Sequence, residues 1–316
     1  METSRRTLLT ALAAASALPA QKKTWKPKFG ILGNYSEENL AFAKAEGFNS
    51  MGLWARAGTS LDPATVNDAL LEKVKASLAA NGLYLSVVGS TVNHADADLG
   101  VRAKTNQSFR KVIETAGKLG APYVGSGSGA MVGRPMAENV AEIVKVYTEQ
   151  YFPMCQKYGV RILWEPYPGS PNVATGPIGY DALFKAFGNS PYVGLQYDPS
   201  HLVWQMMDPI QTARDYMSYI YDVHLKDTEV FTHVLRRSGI NPPDRTAWHR
   251  YRIPGLGQMD WAAFFTVLQD AGYAGAMNIE HEDATYGDPQ RGDVFTEGYK
   301  VGFRMGYRYL RQYIPV

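Results

Sequence analysis

Four side chains of metal-binding type stand where predicted strands end: Glu165 in RILWEP, Asp198 in GLQYDPSH, His224 in YDVHLKD and Glu280 in AMNIEHED. Each follows a short apolar run, and helical patterns separate the runs. Core packing gives no reason to bring three carboxylates and an imidazole to one end of a sheet, because unpaired buried charge is costly. A divalent cation does give one. Three oxygen ligands and one nitrogen suit a hard or borderline ion that keeps positions open for substrate oxygens. Mn²⁺ is the first expectation, with Mg²⁺, Co²⁺ and Zn²⁺ as alternatives.

The elements that must position these residues are legible as a rhythm. Strand-like runs lie at 28–33, 48–54, 83–89, 121–125, 160–165, 192–198, 220–225 and 274–280. Helical patterns occupy 36–46, 65–81, 104–119, 136–158, 179–187, 209–218, 260–271 and about 291–312. Gly82, Gly120, Gly159 and Gly272 each fall just after a helix, where a left-handed residue ends it. Eight strand–helix units predict an α/β fold, a single (β/α)₈ TIM barrel over 21–316, whose chemistry sits at the C-terminal ends of its strands. An open doubly wound sheet is the rival. It lacks a G-x-G-x-x-G turn after a first strand, and the Gly125–Gly129 run has neither that spacing nor that context. Alternation within strands groups Asn278 with Glu280, Asp222 with His224 and Lys226, and Gln196 with Asp198. Those polar faces are expected toward the barrel axis. Residues 227–259 are too long for an ordinary connection after strand seven, and are expected as an insertion folding over the site.

Bulk properties narrow the classes. The chain has 316 residues, 45% hydrophobic and 20% charged, an ordinary globular balance. A net charge of +2 without a basic block argues against nucleic acid as a partner. The one cysteine, Cys155, rules out an internal disulfide and a cysteine-based zinc site. Residues 1–20 carry Arg5-Arg6 before an alanine-rich apolar stretch, which looks like a twin-arginine export signal. The expected location is therefore the periplasm, with no stable membrane anchor after cleavage. Oligomeric state stays open, a homo-oligomer included.

The same residues resemble the sugar isomerase/epimerase superfamily built on xylose-isomerase-like TIM barrels, which includes ketose 3-epimerases and inosose dehydratases. The resemblance covers roughly 28–312. Glu165 in WEPYP, Asp198 in YDPSH, His224 in HLKD and Glu280 in NIEHED match the four family ligands, and His201 matches a substrate-contacting histidine. The separations of 33 and 26 residues among the first three are similar to those of ketose 3-epimerases, while 56 residues lie between His224 and Glu280. Arg252-Ile-Pro-Gly-Leu-Gly257 before Asp260-Trp261 looks like the family's R-x-P-G-x-G stretch. Endonuclease IV is a relative, but its histidine-rich three-metal cluster has no counterpart here: the seventh strand ends His224-Leu-Lys-Asp227, and the fourth offers Ser126 and Ser128.

The resemblance implies a metal-dependent isomerase or epimerase acting on a small carbohydrate. A proton next to a carbonyl would be removed and an enediolate stabilised by the metal. Glu165 and Glu280 are the expected catalytic pair, one removing the proton and the other returning it. His201 is expected to bind or polarise a substrate oxygen, Lys226 to neutralise the oxyanion, and Arg252 to hold a hydroxyl or acid group. His94 is expected to line the mouth, and Trp54 to offer a stacking face. Two alternatives remain: a lyase or dehydratase acting on a 3-keto-glycoside or keto-inositol, and a non-catalytic exported sugar-binding barrel.

Overall fold

The computed structural model describes residues 25–287 and 292–314. The export-signal expectation for 1–20 lies outside them. Eight parallel strands close into a barrel: β1 (Lys28–Gly33), β2 (Ser50–Trp54), β3 (Tyr84–Gly89), β4 (Tyr123–Ser126), β5 (Arg161–Trp164), β6 (Val193–Tyr197), β7 (Ile220–Leu225) and, after a hairpin of two further strands, β10 (Ala276–Ile279). Pairing of β1 with β10, Phe29 opposite Met277, closes the ring. Each strand coincides with a predicted run to within two residues at either end, because alternation and glycine punctuation are local signals. Gly82, Gly120, Gly159 and Gly272 all have positive φ, between 64° and 78°.

The helices pack outside: α1 (Glu37–Ala45), α2 (Asp68–Asn81), α3 (Leu99–Leu119), α4 (Met136–Val146), α5 (Phe152–Tyr158), α6 (Pro177–Ala186), α7 (Pro199–Trp204), α8 (Pro209–Tyr216), α9 (Thr232–Ser238), α10 (Trp261–Asp270) and α11 (Glu297–Leu310). Three details differ from the sequence expectation. Helix α3 begins at Leu99 because Asp98 caps it, accepting from Gly100 and Val101 N–H. The predicted helix over 136–158 is interrupted by a π-helical turn, Tyr147–Tyr151, just before Pro153, whose missing N–H breaks the regular ladder. Helix α7 was not anticipated; six residues are too few to show a periodicity, but Asp198 caps it and Pro199 occupies its first turn.

Ile31, Met51, Val88, Val124, Ile162, Val223 and Ile279 are fully buried in the shell between sheet and helices. The interior holds the other faces, and there the parity expectation holds. Gln196 donates to Asp222 at 2.9 Å, and Asn278 donates to Ser86 at 2.9 Å and to Asp222 at 3.2 Å. Glycine makes room for this polar layer: a Cβ on Gly125 would stand 2.3 Å from Gln196 Oε1. Residues 227–252 form an antiparallel hairpin, β8 (Asp227–Val230) against β9 (His249–Arg252), with α9 in the connection. No helix among the described residues is long and apolar enough to cross a membrane.

Candidate metal centre

Glu165 follows β5, Asp198 follows β6, His224 lies in β7 and Glu280 follows β10. All four are buried, and one ligand atom from each lies within 4.8 Å of the others. His224 Nδ1 is the centre of the group: it stands 3.1 Å from Glu165 Oε1, 3.2 Å from Glu280 Oε2 and 3.9 Å from Asp198 Oδ2. Asp198 splits its two oxygens. Oδ1 accepts from Ser200 N–H at 2.8 Å as the α7 cap, which turns Oδ2 inward. That buried Oδ2 makes no hydrogen bond of normal geometry. It is met by the Lys226 ammonium at 3.0 Å and by His201 Nε2 at 3.4 Å.

Burial opposes charge on every member, and the neighbours overrule it. Burial would push the Glu165 carboxyl up, but His224, His201 and Lys226 hold it well below the usual carboxylate range. Against the same penalty, Lys226 and His224 bring Glu280 down to about 2. The imidazolium of His224 is disfavoured by burial, yet Glu280 and Glu165 raise its pKa well above the ordinary value. Beneath, burial raises Asp222 to about 6, against the pull of His224, Gln196 and Asn278. These are residues held ready for a cation. Three inward oxygens, one inward ring nitrogen and an Asp198 oxygen without a regular donor fit a divalent ion of the Mn²⁺, Mg²⁺, Co²⁺ or Zn²⁺ class.

A cavity of about 230 Å³ opens over the group, lined by Trp54, Arg56, Thr91, Glu165, Tyr167, His201, Lys226, Tyr251, Glu280 and Glu282. A larger depression, about 360 Å³, lies at the other end of the barrel among Pro122, Arg161, Pro191 and Tyr192, and includes none of the four residues. His201 lies between the chemistry and the hairpin, with Nε2 3.5 Å from Glu165 Oε1 and Nδ1 3.1 Å from the Tyr251 hydroxyl. Lys226 is engaged on all sides by Glu280 Oε2 at 2.6 Å, Glu282 Oε2 at 2.8 Å, Asp198 Oδ2 and His201 Nε2 at 3.2 Å. Its three donors are used within the protein. Trp54 lines the cavity, but its ring is wedged between Gly89 and the Arg56 guanidinium, which lies 3.5 Å over it. The expected open stacking face is therefore covered.

Two further expectations are corrected. His94 does not reach the mouth. It is fully buried, its ring nitrogens bonded to the Tyr151 hydroxyl and Ser126 Oγ at 3.0 Å each, and burial lowers its pKa to about 3. A loop histidine after β3 turns inward here because Phe109, Tyr147 and Tyr151 offer a ring-lined slot. Arg252 is consumed by ion pairs to Asp283 at 3.0 Å, which ties β9 to the loop after β10, and to Glu229 at 3.2 Å, which ties it to β8. Sequence reasoning missed Arg56, Glu282, Tyr167 and Tyr251. Glu282 had a signal, since it lies two residues past Glu280, whereas Arg56 and Tyr167 sit in loops, and Tyr251 sits in β9 of the insertion, where no repeat fixes direction.

Known proteins bear on this arrangement. A Bacillus subtilis protein, YfiH, is 39% identical over 103 residues, 30% of this chain and 33% of its own length. An inosose dehydratase of Clostridium tetani is 32% identical over 100 residues, 31% of this chain and 32% of its own. The chain thus aligns with about a third of the length of these curated relatives. Among solved structures, the 3-keto-D-glucoside 4-epimerase YcjR of E. coli superposes with a TM-score of 0.68 at 15% identity, covering 91% of this chain and all of that one, a likeness of fold. The sequence profile of the family described as xylose isomerase-like TIM barrel matches residues 40–302, and the chain belongs to that family.

Proposed function

We propose that the protein is a divalent-metal-dependent sugar epimerase or isomerase that moves a proton at a carbon next to a carbonyl. The observation that carries this reading is the meeting of Glu165 and Glu280 around His224 Nδ1 on the floor of one cavity. Glu165, Asp198, His224 and Glu280 would hold the ion. When bound, it supplies Lewis acidity toward substrate oxygens.

The chain's own groups do the rest. Glu165 and Glu280 enter the cavity from separate strands, and their neighbours keep both ionised and able to accept a proton. A C–H bond lying between them gives its proton to one carboxylate and leaves its electron pair on the carbonyl oxygen. The opposite face is reprotonated from the other side, where the Lys226 ammonium lines the same cavity as the proton source and is restored by the proton the first carboxylate took up. His201, fixed by Tyr251, presents Nε2 to a substrate oxygen. Tyr167, Tyr251 and the Trp54–Arg56 stack form walls of the cavity.

A second reading, β-elimination as in a dehydratase, draws support from the Tyr251–His201 pair. This relay in the same cavity is suited to protonating a leaving hydroxyl. The local similarity to an inosose dehydratase points the same way. One experiment separates the two. Mn²⁺-loaded protein is incubated in D₂O with ketoses, 3-keto-glucosides and inososes. Deuterium at the carbon next to the carbonyl, with the carbon skeleton and hydroxyls intact, supports the epimerase. An unsaturated product or a released group supports the lyase, and sugar binding without exchange or turnover would refute both in favour of a binding barrel. We also propose that the Arg5-Arg6 leader directs export to the periplasm by the twin-arginine route. Fusing residues 1–20 to a reporter active only after folded export tests this, and Arg5→Lys with Arg6→Lys should abolish the signal.

A further inference from the structure

We propose that Lys226 is an internal counter-cation that competes with the divalent ion for Asp198 and Glu280, and that Glu282 is the partner onto which it withdraws. The inference rests on the metal-site reading of the four ligands and adds a device that sets how tightly they bind. Its basis is geometric. Lys226 Nζ contacts Asp198 Oδ2 at 3.0 Å and Glu280 Oε2 at 2.6 Å. Those are the inward oxygens of two of the four candidate ligands: Asp198 uses its other oxygen to cap α7, and Glu280 Oε2 is the one facing His224. An ammonium and a dication therefore draw on the same two atoms, and like charges so close in a buried site repel strongly.

The alternative perch is built in. Glu282 Oε2 lies 2.8 Å from Nζ, and the Tyr251 ring lies under the ammonium with its centroid 4.6 Å away. Glu282 is outside the ligand group, and its side chain is more than a third exposed. Lys226 can thus release Asp198 and Glu280 while keeping a carboxylate and an aromatic face, at a modest cost in charge burial. Without such a cation, Glu165, Asp198, Glu280 and Glu282 would crowd one pocket with only the His224 ring and the Arg56 guanidinium beside them until metal arrived. The lysine lets the barrel close first and accept its ion afterwards.

The test uses Mn²⁺ alone as probe, at constant pH, with the full chain. Calorimetric titration should show Lys226→Gln binding Mn²⁺ about tenfold tighter than the parent, because a positive charge beside the ion is gone. In excess chelator the same variant should melt below the parent, and saturating Mn²⁺ should close that gap. Glu282→Gln, which removes the perch and leaves the ligands intact, should weaken Mn²⁺ binding about tenfold in the parent and far less in the Lys226→Gln background. Equal or weaker Mn²⁺ binding by folded Lys226→Gln overturns the competition. An equal effect of Glu282→Gln in both backgrounds overturns the withdrawal. Each of these leaves the metal site standing, whereas absence of Mn²⁺ binding in parent and variants alike removes both.

Discussion

Asp227 is expected to be the costliest single carboxylate to remove outside the ligand group, although it touches no ligand. It lies directly after Lys226, and a sequence reading would pair the two. The structure instead turns Asp227 away from the site, fully buried, to accept four N–H groups. Oδ1 takes Thr228 N–H at 2.8 Å and Met259 N–H at 3.0 Å, while Oδ2 takes Gly255 N–H at 3.0 Å and the Trp261 indole at 2.9 Å. One side chain thereby joins the end of β7, the hairpin, the 253–259 loop and the start of α10. The fit is close enough that a Cβ on Gly257 would stand 2.2 Å from Oδ1. Hydrogen bonds to a charged acceptor contribute about 1.5–3 kcal/mol each, and buried donors left without partners cost about 1–3 kcal/mol. The four share one carboxylate and relax together, so Asp227→Ala should lose about 5 kcal/mol rather than the full total. Asp227→Asn keeps one acceptor and aims an NH₂ at two donors, for a loss of about 3 kcal/mol. With about 2 °C per kcal/mol for a domain of this size, the melting temperature should fall by roughly 10 °C and 6 °C. Urea unfolding at fixed Mn²⁺ gives the free energies directly. An Asp227→Asn loss below about 1 kcal/mol would refute the four-donor account.

Further outcomes follow from the same geometry. Glu165→Gln and Glu280→Gln should each cut turnover by about 10³-fold or more while leaving the fold intact by circular dichroism, because each removes a proton acceptor and a ligand together. His94 is neutral in the fold down to about pH 3 but titrates near its ordinary value of 6.5 once unfolded, so the unfolded chain binds the extra proton in between. Stability is full above that ordinary value and should fall with acidification by about 1.4 kcal/mol per pH unit, a slope that urea titrations of His94→Gln should show flattened. A Cβ on Gly89 would meet the Trp54 ring at 2.5 Å. Gly89→Ala should therefore displace Trp54 and Arg56 together, raising KM and costing about 1–3 kcal/mol. Mn²⁺ at about a hundredfold over its Kd should add about 2.7 kcal/mol of stability, read as a melting temperature that drops on chelation.

The sequence by itself determined what local chemistry dictates. Alternation placed the eight barrel strands, and glycines that must adopt positive φ marked where helices α2, α3, α5 and α10 end. Strand parity put Asp222, His224 and Lys226 on one face and Asn278 with Glu280 on another, and barrel closure then left those faces one place to go. That is why Glu165, Asp198, His224 and Glu280 could be grouped across more than a hundred positions. Only the tertiary structure decided where side chains without a period would point. His94 entered an aromatic slot because Tyr151 and Ser126 waited there. Arg252 paired with Asp283 and Glu229, Trp54 was capped by Arg56, and Tyr251 came to His201 from a hairpin that no repeat foretold. A strand's direction is set by its own backbone geometry and so is written in consecutive residues. A loop side chain settles wherever a distant partner offsets its desolvation, and that partner is known only once the chain has closed on itself.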